Sequence, residues 1–137
     1  MMPEELRVLT VQQPYASAIV AGLKDVENRS RRFPLADGTT IAIHAGMQTD
    51  PARLIAGAPD DLPHGYIIGL VRVAGSHDSS VDPSDVVDRC LSPWARSGHW
   101  HWMLEGAFPL PVPIKVRGQL ALFRPSIEIT RAVLAQL

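Results

Sequence analysis

The sequence predicts an α+β fold, a small β-barrel of five to six short strands with two to four short helices. Three observations carry this expectation. Short apolar, β-branched or aromatic runs recur along the chain, at 6–11, 39–45, 66–73, 99–105 and 115–123. Clusters of Gly, Pro, Asp and Ser punctuate them. Stretches with helix capping signals fall between and after the runs. With 137 residues, the chain is expected to form one domain able to bury its own core.

Leu6 to Val11 reads as the first strand. Pro14 fixes a φ suited to a first helical turn, Ala16 to Ala21 continue the helix, and Gly22 supplies the left-handed residue that closes one. A strand follows over 25–30. Phe33 to Gly38 is a turn, with Asp37-Gly38 as its local signal. Thr39 to Ala45 alternates as a strand, with Ile41 and Ile43 on one face and His44 on the other. Asp50 and Pro51 predict a helix start running to about Ala56. A loop over 57–65 leads into Tyr66 to Val73, apolar enough for a buried central strand. Residues 77–85 are polar and read as a surface excursion, with a short helix over 83–90 and a loop over 92–98. His99 to Glu105 is a strand. Pro109, Pro111 and Pro113 exclude central ladder pairing, so that segment is an edge or an extended connection. Lys115 to Phe123 forms a further strand broken at Gly118, and Ser126 caps a closing amphipathic helix to Leu137.

Composition narrows the function classes. Hydrophobic content is 46% with a mean hydropathy of +0.05, and no apolar run approaches the roughly 20 residues that span a bilayer. The acidic start Met1-Met2-Pro3-Glu4-Glu5 lacks a signal-peptide core, so no membrane partner and a cytoplasmic location are the expectations. The lone Cys90 forms no internal disulfide and no cysteine pair exists for zinc. A net charge of −1 argues against a general polyanion binder, yet the charge is uneven: residues 24–32 carry net +2, 115–131 net +3 and 50–89 net −4. If the fold joins the first pair of segments they make a local basic surface.

The residues most able to carry chemistry are Lys24, Glu27 and Arg29. Glu27 and Arg29 share a strand face, and the flexible stem of Lys24 reaches the same place from the turn. A lysine beside a carboxylate shuttles a proton or holds a phosphate or carbonyl oxygen, and an arginine orients the carboxylate. The structural alternative is an ion-pair network bracing the helix–strand corner. Gln12 can read the edge of a base and Tyr15 can stack on one; alternatively Gln12 caps the helix and Tyr15 fills the core. All three tryptophans lie within nine residues, 94–102. On a strand Trp100 and Trp102 share one face and His99 and His101 the other. Trp100 is the candidate ligand-binding ring of this cluster, and Trp102 the candidate core residue. His99 and His101 lack a third ligand at a diagnostic spacing, so neither a metal nor another cofactor is expected. His44 borders the cleft in this reading.

The spacing Gly22-x-Lys24-x-x-Glu27-x-Arg29 resembles the signature of the ASCH domain family, part of the PUA-like group of β-barrels. The segment Leu9 to Ala16, the strand His99 to Leu104 and the finish Gly118-Gln119 to Phe123 look similar too, so the resemblance covers nearly the whole chain. It implies a PUA-like barrel whose cleft holds Lys24, Glu27 and Arg29. It also implies a module binding single-stranded RNA or a modified nucleotide, with RNA, a nucleotide or a nucleoside as partner. Tyr15 stands where the family often has Trp. Ser30-Arg31-Arg32 replaces a frequent Trp, which removes a stacking residue and adds positive charge. The alternative is a small hydrolase, an amidohydrolase of acylated cytidine-type nucleosides or a ribonuclease, with Lys24 and Glu27 as catalytic residues. Similar amidohydrolases have a threonine nucleophile three residues after the lysine and a downstream glutamate. Here Glu27 occupies the first position and 66–73 contains no acid, so a hydrolase would use Lys24 and Glu27 on water.

Overall fold

The computed structural model describes residues 5–51, 61–79 and 92–137. Its elements are β1 (Val8–Gln13), α1 (Tyr15–Val20), β2 (Val26–Arg29), β3 (Thr39–Thr49), β4 (Tyr66–Asp78), β5 (Trp100–Lys115), β6 (Leu122–Phe123) and α2 (Ile127–Leu134). The strands form one six-stranded mixed sheet in the order β2-β5-β4-β3-β1-β6. β1 and β3 run parallel and the other neighbours antiparallel. The α+β class holds, but the sheet does not close into a barrel: among the described residues β2 and β6 are its free ends. β6 has two residues and covers only Val8 and Leu9 of β1. Beyond them, Thr10 to Gln12 have no strand on that side, and a side chain of β2 bridges the gap instead. The predicted helices over 50–56 and 83–90 lie outside the described residues, apart from Asp50 and Pro51 themselves.

Both sheet faces are covered, because successive strand residues point to opposite sides. Leu9, Val11, Ile41, Ile43, Val71 and Val73 pack with Ala16, Ile19 and Val20 of α1. Val8, Ala42, Ile67 and Leu70 pack with Phe123 and with Val133 of α2. α1 lies close on β4: a Cβ at Gly69 would stand 2.6 Å from Val20 Cγ1 and 2.8 Å from the Phe108 carbonyl oxygen. Gly69 is therefore required by the packing of the helix on the sheet.

β4 and β5 outrun their sequence signals. The polar tail His77-Asp78 stays in the ladder opposite His101 and Trp100 rather than leaving as a surface excursion. Past Met103, β5 has β4 as its only strand neighbour among the described residues, which agrees with an edge for the proline segment. Register jumps from Ile67↔Ile114 to Gly69↔Pro109, so Pro111 and Pro113 sit in a bulge where no ladder donor is needed. Val112 on that bulge is paired by a side chain, its N–H donating to Gln136 Oε1 and its carbonyl accepting from Gln136 Nε2, both at 2.8 Å. β5 ends at Lys115, and 116–121 is irregular rather than strand. Ser126 caps α2, its hydroxyl accepting from the Ile129 N–H at 3.2 Å.

Candidate functional site

Gly22, at φ +79°, ends α1 as its position in the sequence predicts. The N–H groups of Leu23 and Lys24 both donate to the Ala18 carbonyl, at 2.9 and 3.0 Å. This tight exit turns Lys24 inward, where only 4% of its surface is exposed. Its ammonium donates to Glu27 Oε1 at 2.9 Å and to the Val26 carbonyl. Glu27, 8% exposed, accepts on its other oxygen from Arg29 Nε at 3.0 Å. Arg29 also donates to the Thr10 carbonyl at 3.3 Å, bridging β2 to the unpaired stretch of β1. Its guanidinium stands 5.8 Å from the centre of the Trp102 ring.

Two cations on one carboxylate leave a local charge of +1. The ammonium has a donor beyond those two bonds and the guanidinium has several. The network thus braces the corner between α1 and β2, and it still has donors to offer a ligand.

An aromatic wall stands beside it. The Tyr15 and Trp94 rings meet edge-on, centroids 6.3 Å apart, and Lys24 Nζ lies 5.7 Å from the first and 6.0 Å from the second. Tyr15 donates its hydroxyl to Asp50 Oδ2 at 2.7 Å. Trp94 is held by its loop: its indole N–H donates to the Leu23 carbonyl at 3.0 Å, and its own carbonyl accepts from Asn28 Nδ2 at 2.8 Å. Asn28 Oδ1 accepts from the Arg96 N–H at 2.9 Å. Ser92 donates to Asp25 and accepts from the Trp94 N–H at 3.1 Å.

These walls enclose an open cleft of about 420 Å³ at the β1/β2 seam, with Thr10, Gln12, Tyr15, Lys24, Glu27, Asn28, Arg29, Asp50, Trp94, Arg96 and His99 among its lining residues. Gln12, Tyr15, Lys24, Glu27 and Arg29 are brought together there. Two sequence candidates are not. His44 is buried at 2% exposure, bonded to Thr10 Oγ1 at 3.3 Å and to the Val116 carbonyl at 2.7 Å. It does face away from Ile41 and Ile43, but the sheet's second face is also covered. Trp100 packs half-buried against the core, outside the cleft lining. The aromatic wall comes from Trp94, and Trp102 fills the core beside Phe33, ring centroids 5.0 Å apart.

Sequence reasoning missed Asn28, Asp50 and Arg96 as parts of the cleft. By alternation Asn28 points away from Glu27, yet it reaches the 92–96 loop and holds it. Helix capping falls to Gln13 rather than Gln12, its Oε1 accepting from the Ser17 N–H at 3.0 Å. Behind the loop, His101 is buried, in contact with the Arg96 carbonyl at 2.5 Å and with His77 at 3.1 Å. Among the described residues no cluster of metal-ligating side chains occurs, and no helix is long and apolar enough to cross a membrane.

Comparisons with known proteins bear on the family and the fold. The chain matches the ASCH domain over residues 9–103. Its fold is similar to that of an ASCH protein from Zymomonas mobilis, at 19% identity and a TM-score of 0.64 over 96% of this chain and 95% of that one. A serine-to-alanine variant of that protein aligns at 20% identity and a TM-score of 0.62, covering 98% of both chains. A tyrosine-to-phenylalanine variant aligns at 19% identity and a TM-score of 0.62, over 96% and 97%. No curated protein sequence matches the chain. The matched span contains β1 from Leu9 on, α1, β2, β3, β4 and the start of β5, and with them every wall of the cleft: the protein belongs to the ASCH domain family.

Proposed function

We propose that this ASCH domain is a nucleic-acid-binding module whose cleft accepts one base of single-stranded RNA or a modified nucleotide. One observation carries the reading. The Lys24–Glu27–Arg29 network and the Tyr15–Trp94 wall border the same open cleft of about 420 Å³. Rings give a base a stacking surface, and hydrogen-bonding groups beside them select its edge. Gln12 is exposed on the rim, its amide without a partner among the described residues, and is suited to such an edge.

A second reading keeps Lys24 and Glu27 as a general acid and base acting on water, and their 2.9 Å contact at the cleft favours it. Paired assays separate the readings. In one, affinity for short single-stranded RNA and for modified nucleosides is followed across salt; in the other, product release is followed. Salt-sensitive binding without product, weakened by Gln12→Ala, supports the module. Turnover lost in both Lys24→Ala and Glu27→Ala, with folding intact by circular dichroism, supports the hydrolase and overturns the module.

A further inference from the structure

The arginines that follow the Lys24–Glu27–Arg29 network remain without a role. We propose that Arg31, Arg32 and Arg96 form a phosphate track leading out of the cleft, so that the ligand is a polynucleotide strand and not a free nucleoside. This rests on the nucleic-acid reading above and specifies its substrate class.

The placement comes from the backbone around Trp102. The Trp102 indole N–H donates to the Arg31 carbonyl at 2.9 Å, and the Arg29 guanidinium lies over the same ring at 5.8 Å. The Arg31 backbone therefore lies on the same indole as the cleft arginine. Arg96 joins from the loop, its N–H on Asn28 Oδ1 at 2.9 Å, one residue from Arg29. Arg31, Arg32 and Arg96 are all exposed. Among the described residues none of their guanidinium groups has an ion pair or hydrogen bond. Arg29, by contrast, is shared with Glu27 and Thr10, and Arg72 pairs with Glu105.

Arg96 lines the cleft, and Arg31 and Arg32 follow Arg29 by two and three residues on the chain; three exposed guanidinium groups on a chain of net charge −1 make a local field that a neutral nucleoside would not use. A phosphodiester would, because guanidinium forks match phosphate oxygens. Asp50 lies on the wall with Tyr15, so the strand leaves from the β2 side.

The test compares wild type with the double variant Arg31→Ala/Arg32→Ala, using short mixed-sequence single-stranded RNA and each free nucleoside as probes. The expected result is a loss of about tenfold in RNA affinity at low salt. The log–log salt slope should shrink by about 1.4, the counterion release of two single-strand phosphate contacts. Nucleoside affinity should stay unchanged. Arg31→Lys/Arg32→Lys should restore the slope, since lysine supplies the same point charge. Wild type binding RNA with the same slope as the double variant overturns the track and leaves the cleft reading standing. Nucleosides bound as tightly as RNA do the same. Wild type binding neither probe overturns the track and the cleft reading together.

Discussion

Trp94 and Trp102 have nearly the same kinds of partner and opposite surroundings. Each indole N–H donates to a backbone carbonyl, of Leu23 at 3.0 Å and of Arg31 at 2.9 Å. Each ring has a cation near it, Lys24 at 6.0 Å and Arg29 at 5.8 Å. Each meets another aromatic edge-on, Tyr15 for one and Phe33 for the other. What differs is the opposite side of the ring. Trp102 lies on β5 inside the main core, 4% exposed; Trp94 lies on a loop held to β2 and lines the cleft. Partner chemistry alone does not separate a cleft-lining ring from a core side chain. The covering does.

Substitutions that remove the ring should break this symmetry most strongly. Trp102→Ala should cost about 4 kcal/mol of stability, in the range for deleting a buried aromatic, whereas Trp94→Ala should cost about 1 kcal/mol. Urea denaturation of the pair measures the difference, and equal losses would sink the distinction. For binding the order reverses: Trp94→Ala should lower RNA affinity by about tenfold, the worth of one stacked base, read by fluorescence anisotropy.

The cations beneath the rings share one carboxylate, so Glu27→Ala strands both. It should destabilise by about 3 kcal/mol, because a buried pair that loses one partner leaves uncompensated charge. A shift in the urea midpoint checks this, and a loss below about 1 kcal/mol would mean that water already screens the network.

Asn28→Ala frees the loop that positions Trp94 while leaving Trp102 untouched. About 1–2 kcal/mol of stability should go with the lost bonds, and the near-ultraviolet signal should change through one tryptophan only. The smallest effect is expected far from both rings. Ser126→Ala removes the α2 cap for about 1 kcal/mol and should leave RNA affinity unchanged; a change in affinity would show that α2 communicates with the cleft.

Local pattern made much of this legible. The glycine stop, the shared face of Glu27 and Arg29, the alternation in β3 and the Ser126 cap are written in residues a few positions apart. Contacts between distant positions were not. Asn28 meets Trp94 across 66 residues of chain, and no local period encodes that meeting. Alternation placed His44 on the correct side of β3, but it does not say that α2 and the 116–121 segment cover that side. The polar pair His77-Asp78 looked like solvent-facing loop because its partners, His101 and Trp100, lie on another strand. The open seam escaped notice for a similar reason: strand count suggests a barrel, but the end strands β2 and β6 do not pair with each other.

Gln136 has a consequence of its own. By meeting both polar backbone groups of Val112, its amide acts as a surrogate strand one residue long, at a border where β5 would otherwise offer itself to another molecule. Val112 is 64% exposed there. Trimming the chain before Gln136 would uncover a sticky rim and favour self-association, although every residue of the cleft would still be in place.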